Sequence, residues 1–310
     1  MNSKKKVKHS ALKIGAVLAL SASLLTACSN GGTQATNATK SSGEGKLKVV
    51  AAENFYGEVL QAVGGERVEV VSLLTSPEQD PHEYEATPAD SKSVADANYV
   101  VYNGIGYDEW MEKLLGASTS TKTKVAVGSD VMGKRLGDNP HIWYDPSTIS
   151  KLTERVAQDL GTLDPSHASE YKQRAEEYLN TLKPLVEKVE KLKQTTPVLI
   201  DVSEPVFQYM ADALNLKVNN EKFSEAIEDE SDPAPAVLAD VQDDLKQKRV
   251  KLFVHNIQVD SPTVQNIAKL AESSGVPVVR VTETEPKGKN YPEWMNDQLD
   301  QIMKGLEVTP

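Results

Sequence analysis

Short apolar runs of strand character alternate with amphipathic helical stretches along most of this chain, and a single long helical run divides them into two sets. In the first set, 47–53 (LKVVAAE), 67–74 (RVEVVSLL), 97–104 (ANYVVYNG) and 124–127 (KVAV) read as strands. Segments 54–63, 91–97 and 108–115 between them suit helices, and a helical pattern follows from 146. The second set repeats the style. Strands are expected at 197–202 (PVLIDV), 250–255 (VKLFVH) and 276–282 (VPVVRVT), with helices at 205–214, 233–248, 262–273 and 291–308. Alternation of this kind predicts parallel sheets covered by helices.

The divider runs from 166 to about 193. Ala168, Tyr171, Ala175, Tyr178, Leu182, Leu185, Val189 and Leu192 recur every three or four residues, one face of a helix. The expected fold is therefore α/β. Two similar lobes, each a mainly parallel sheet flanked by helices, are joined by one long rigid helix that Pro184 could bend. A cleft between such lobes is the default place for a ligand.

The N-terminus carries an address. MNSKKKVKHSALK is basic, IGAVLALSASLL is apolar but too short for a stable span, and TAC follows. Leu25-Thr26-Ala27-Cys28 resembles the bacterial lipobox, so cleavage would leave Cys28 as the lipid-bearing first residue. Cys28 is the chain's single cysteine, which excludes an intrachain disulfide framework and a Cys-rich metal site. The Gly/Ser/Thr/Asn-rich stretch that follows reads as a flexible tether. The expected organisation is a signal peptide over 1–27, a tether over 28–45, an N-terminal lobe over 46–165, a linking helix over 166–194 and a C-terminal lobe over 195–310. Residues 1–27 hold five Lys and no carboxylate, so their removal takes the net charge from −11 to −16. Such acidity argues against nucleic-acid binding and favours handling of cations.

Five histidines are present. His9 lies in the leader. His82 (DPHEYE) and His141 (NPHIWYDP) each follow a proline in a loop beyond an expected strand, where open α/β sheets bind ligands. Imidazoles beside carboxylates suit divalent transition metals. From the residues alone, a ligand role and an ordinary hydrogen-bonded role stand about even for both. His255, inside an apolar strand, reads as structural, and His167 as a surface or capping residue.

DPHEYE, NGIGYDEW, NPHIWYDP, the long central helix and the lipobox together resemble the zinc/manganese metal-binding lipoproteins of bacterial ABC importers, once grouped as adhesins. The resemblance spans about 46–308. It implies His82 and His141 as ligands from the first lobe. The third ligand follows the first strand of the second lobe, where Glu204 stands, with Asp201 a competitor. The fourth is a carboxylate after the last strand; Glu283 fits best, with Glu285, Asp260 and His255 as alternatives. Asn103, Tyr107 and Trp110 would line the cleft, Gly104 and Gly106 would serve tight backbone geometry, and Trp143 and Tyr144 would wall the site.

The implied cargo is one divalent ion, manganese in preference to zinc, because Glu204 replaces the histidine of typical zinc members. The implied partners are an ABC membrane permease and its cytoplasmic ATPase. The protein would be a monomer held by lipid on the outer face of a Gram-positive cell membrane. Two other classes compete: a surface metalloenzyme, which would need an open coordination position and lacks an HExxH motif here, and a host-surface adhesin, for which no repeats or aromatic arrays are present. No Walker motif occurs, so ATP hydrolysis would belong to a partner.

Overall fold

Strand β1 (Leu47–Glu53) is covered on both sides, with Val49, Val50, Ala51 and Ala52 buried, so it can only be a central strand. It pairs in parallel with β2 (Val68–Leu74) on one side and β3 (Tyr99–Tyr102) on the other, and β3 pairs with β4 (Thr123–Ala126), giving the order β2-β1-β3-β4. Helices α1 (Asn54–Gly64), α2 (Pro88–Asp96) and α3 (Glu109–Ala117) make the crossovers. The structure, a computed structural model, describes residues 45–79, 81, 83–120 and 122–308. Cys28, the leader, the tether and His82 lie outside the described residues.

After α4 (Thr148–Leu163) comes α5 (Ala168–Leu192), which continues through Pro184 and is roughly 37 Å long. The expected apolar stripe is its buried face, except Ala168, which is exposed at the first residue. α5 packs on α1 and α4 at one end and on the C-terminal helix at the other.

The second sheet repeats the first. Strands β5 (Val198–Val202), β6 (Leu216–Val218), β7 (Phe253–Asn256) and β8 (Val278–Val281) run parallel in the order β6-β5-β7-β8. They alternate with α6 (Gln208–Ala213), α7 (Glu221–Glu228), α8 (Pro235–Gln247), α9 (Pro262–Ser274) and α10 (Tyr291–Gly305). The sequence pattern predicts no element over 215–232, where β6 and α7 lie. Both are shorter than the window over which a period can be recognised, and acidic residues interrupt the apolar pattern of α7.

The lobes do not hang from the helix alone. One hydrophobic core runs through both: Phe55 contacts Trp143 and Trp294, and Tyr144 contacts Phe207 and Trp294. The Tyr144 hydroxyl donates to Thr282 O (2.7 Å), and that of Tyr291 donates to Trp143 O (2.6 Å). Residues from Gly45 onward form one compact unit. Among the described residues, no helix is long and apolar enough to cross a membrane.

α10, which carries Tyr291, Trp294 and Met295 into this core, begins with a capping box. Asn290 Oδ1 accepts from Glu293 N, and Glu293 Oε2 accepts from Asn290 N. Asn290→Ala is expected to lower stability by about 1 kcal/mol. Urea unfolding would show this as a lower midpoint with unchanged slope.

Candidate functional site

His141 lies between β4 and α4 and is completely buried. Its Nδ1 is 2.9 Å from Asn139 Oδ1, which also accepts from His141 N. Asn139 Nδ2 donates to Pro205 O of the other lobe (2.8 Å), so the amide orientation is fixed and its oxygen faces the ring. The neutral His141 ring therefore carries its proton on Nδ1 and a lone pair on Nε2, the arrangement by which a second residue orients a ligating imidazole. Among the described residues Nε2 has no hydrogen-bond partner. It faces Glu283 Oε2 at 3.4 Å and Glu228 Oε1 at 3.7 Å. The rings of Trp143 and Tyr107 stand 5.3 and 5.9 Å from that of His141, closing the site to water on that side.

The carboxylates come from the second lobe. Glu204 follows β5 and Glu283 follows β8, while Asn256 ends β7 between them. Asn256 Nδ2 donates 2.7 Å bonds to both Glu204 Oε2 and Glu283 Oε1. In the order β6-β5-β7-β8 the connections reverse direction between β5 and β7, where an open parallel sheet leaves a crevice at its carboxyl end. Glu283 is also reached from the first lobe by the Tyr107 hydroxyl (3.1 Å). Its backbone N–H donates to Gln258 Oε1, and Gln258 Nε2 donates to Gln79 O across the cleft (3.0 Å).

Negative charge is concentrated here. Burial, with the charges of Glu283 and Glu228, pushes the Glu204 carboxyl up to about 8, against the lowering effect of Asn256. For His141 burial alone would lower the pKa. Glu228, Glu283 and Glu204 outweigh it and hold the imidazole above its ordinary value. Carboxylates crowded in this way favour bound protons or a neighbouring cation over bare negative charge. The site opens into a cleft of about 510 Å³ whose walls include Glu78, Glu83, Glu230 and Asp260.

The loop that brings in Tyr107 is strained. Gly104, Ile105 and Gly106 have φ of +72°, +52° and +98°, and a β-branched residue is seldom found there. Asp108 holds it by accepting from Asn103 N and Gly104 N at 2.7 Å each. Glu53, at the end of β1, is buried against Asp108. Burial and that charge push it well above the usual carboxylate range. Asn103 ties the loop to the His141 segment by donating to Pro140 O.

The structure thus brings together His141, Glu204 and Glu283, three of the four residues expected as ligands; His82 lies outside the described residues. Among the described residues alone, no three His, Cys, Asp or Glu side chains form a group that could hold a metal ion. The alternatives lie elsewhere. Glu285 is paired with Glu58, Asp260 is on the outer cleft wall, and Asp201 neighbours Asp244. His255 is half-buried in β7 beside Arg280, and His167 bonds Asp164 at 2.6 Å. Trp110 packs on Tyr84.

The family model described as "Zinc-uptake complex component A periplasmic" matches residues 49–305. This chain belongs to that family. It is 28% identical over 313 residues to the manganese ABC transporter substrate-binding lipoprotein PsaA of Streptococcus pneumoniae serotype 4, covering 94% of this chain and 97% of that one. It is 29% identical over 323 residues to the iron ABC transporter substrate-binding lipoprotein MtsA of Streptococcus pyogenes serotype M1, covering 96% and 99%. The periplasmic zinc binding protein TroA of Treponema pallidum superposes with a TM-score of 0.71 at 20% identity, covering 84% of this chain and 99% of that one, which establishes the shared two-lobe fold. These relatives are transporter binding components, so the chain is not an enzyme.

Asn256 and Glu228, beside the two carboxylates and His141, escape sequence reasoning. Asn256 is a neutral amide at a strand end, and Glu228 sits in a helix that the pattern does not predict. The only signal for Glu228 is the spacing of Phe223 and Ile227, which puts residue 228 beside an apolar face.

Proposed function

We propose that this protein captures one divalent transition-metal ion in the cleft between its lobes and delivers it to the membrane permease of an ABC importer. A cytoplasmic ATPase partner would power the transfer. The proposed ligands are His82, His141, Glu204 and Glu283. Manganese is the preferred cargo over zinc, because a ligand set with as many carboxylates as imidazoles lacks soft donors and suits an ion of higher coordination number. Lipid attachment at Cys28 would hold the protein on the outer face of a Gram-positive cell membrane.

The observation that supports this best is the lone pair of buried His141 Nε2, oriented by Asn139 and facing carboxylates from the other lobe. A buried, unbonded polar atom is costly unless a ligand completes it. Both lobes contribute, so binding would clamp them together.

Titration with Mn²⁺, followed by loss of the free-ion electron paramagnetic resonance spectrum, should saturate at one equivalent. Anaerobic competition with Zn²⁺ at fixed pH then tests the cargo. Absence of saturable binding of either ion would refute the proposal.

A further inference from the structure

Glu228 is the last residue of α7, next to buried Ile227 and one turn beyond buried Ser224. The last turn of α7 holds no basic residue, and a carboxylate at a helix C-terminus faces the negative end of the helix dipole. It also stands near two other carboxylates, Glu204 and Glu283. The helix end and the two carboxylates disfavour an anion in this position, with the His141 imidazole 3.7 Å away as a favourable neighbour, and the fold secures the carboxylate there. Asn220, immediately before α7, clasps β5 in both directions: its Oδ1 accepts from Val202 N (2.9 Å) and its Nδ2 donates to Val202 O (2.8 Å). Val202 is two residues before Glu204. The same clasp therefore registers the Glu228 helix against the Glu204 loop. Both side chains line one cleft, and Glu228 Oε1 lies 3.7 Å from the lone-pair nitrogen of His141.

We propose that Glu228 is a further donor to the captured cation and the residue that sets its preference for manganese over zinc. This rests on the metal-binding reading above. With Glu228, three carboxylates join the imidazoles. Zinc is satisfied by four donors in a tetrahedron, whereas an added oxygen donor serves an ion that takes a larger, oxygen-rich shell. Removing Glu228 should therefore weaken manganese binding more than zinc binding.

The test compares the full chain with Glu228→Gln and with Glu225→Gln, which removes the same charge from an exposed position on α7. Mn²⁺ affinity is measured by paramagnetic resonance titration and Zn²⁺ affinity by competition. Mn K-edge absorption counts the light donors. Glu228→Gln is expected to weaken Mn²⁺ binding by about 10–100-fold and to cut the manganese-over-zinc preference by about tenfold, with one fewer oxygen donor. Glu225→Gln should change neither affinity by more than about twofold. Equal weakening of both metals by Glu228→Gln, or no change in either, would overturn the assignment while leaving the metal-binding reading intact. Failure of the unaltered chain to bind metal would overturn both.

Discussion

His141→Ala is expected to weaken metal binding by a factor on the order of 10³ or more, about 4 kcal/mol. The imidazole is the first-lobe donor whose orientation the structure fixes, and among the described residues nothing nearby can replace it. Tyr107 is committed to Glu283, and the Trp143 ring offers no lone pair. The variant also leaves Glu204, Glu228 and Glu283 facing a gap, which makes the clustered carboxylates repel rather than share a cation. The loss will be visible in thermal unfolding. Metal at 100 times its dissociation constant stabilises by about 2.7 kcal/mol, and each kcal/mol moves the melting temperature of a domain this size by roughly 2–4 °C. The unaltered protein should therefore gain roughly 5–10 °C on adding Mn²⁺, and His141→Ala should gain none. Comparing each protein with and without metal removes the cost of the cavity itself. A His141→Ala protein that keeps the full metal-induced gain would exclude His141 as a ligand.

How much of this site can be read from the chain depends on where each residue sits. NPHIWYDP marks a loop beyond a strand, which leaves a ligand role for His141 about even; the resemblance of that motif to the metal-binding lipoproteins is what singles it out. The apolar runs of β5 and β8 are legible by themselves, but Glu204 and Glu283 after them are singled out only by the resemblance to the metal-binding lipoproteins. The parallel sheets and the buried stripe of α5 follow from periodicity alone. Two kinds of feature are not local and so leave no such trace. The first is the joining of the lobes by a common aromatic core, in which Phe55 meets Trp294 across 239 positions of sequence. The second is the pair of bonds from Asn256 that brings two carboxylates side by side. Asn256 is an ordinary strand-end residue until the β8 loop is placed beside it. Glu228 is hidden for a different reason: α7 is two turns long, and its identity as a helix comes from packing and from the Asn220 clasp rather than from its own pattern.

Metal affinity is expected to rise steeply with pH between 6 and 8. In the metal-free protein Glu204 titrates near 8 because of burial and the charges of Glu283 and Glu228, and His141 titrates above its ordinary value. At pH 6 both hold protons, and a cation must displace them. Each displaced proton adds one decade of affinity per pH unit until its group is already ionised. The slope should therefore approach two near pH 6 and flatten above 8, a total gain on the order of 10²–10³. Stability of the metal-free protein should run the other way. Glu204, Asp201 (about 7) and Glu285 (about 9) all have folded-state pKa values raised above their unfolded ones, chiefly by burial. For a raised pKa the stabilising contribution is full below the unfolded value and is lost as pH climbs through the folded value. Metal-free protein should thus melt at a lower temperature at pH 9 than at pH 6, while the metal-induced increase in melting temperature grows over the same interval. Proton release can be counted by titrating Mn²⁺ in buffers of different ionisation enthalpy. An affinity unchanged between pH 6 and 8, with no protons released, would show that the carboxylates and imidazole of the cleft are not what the metal binds.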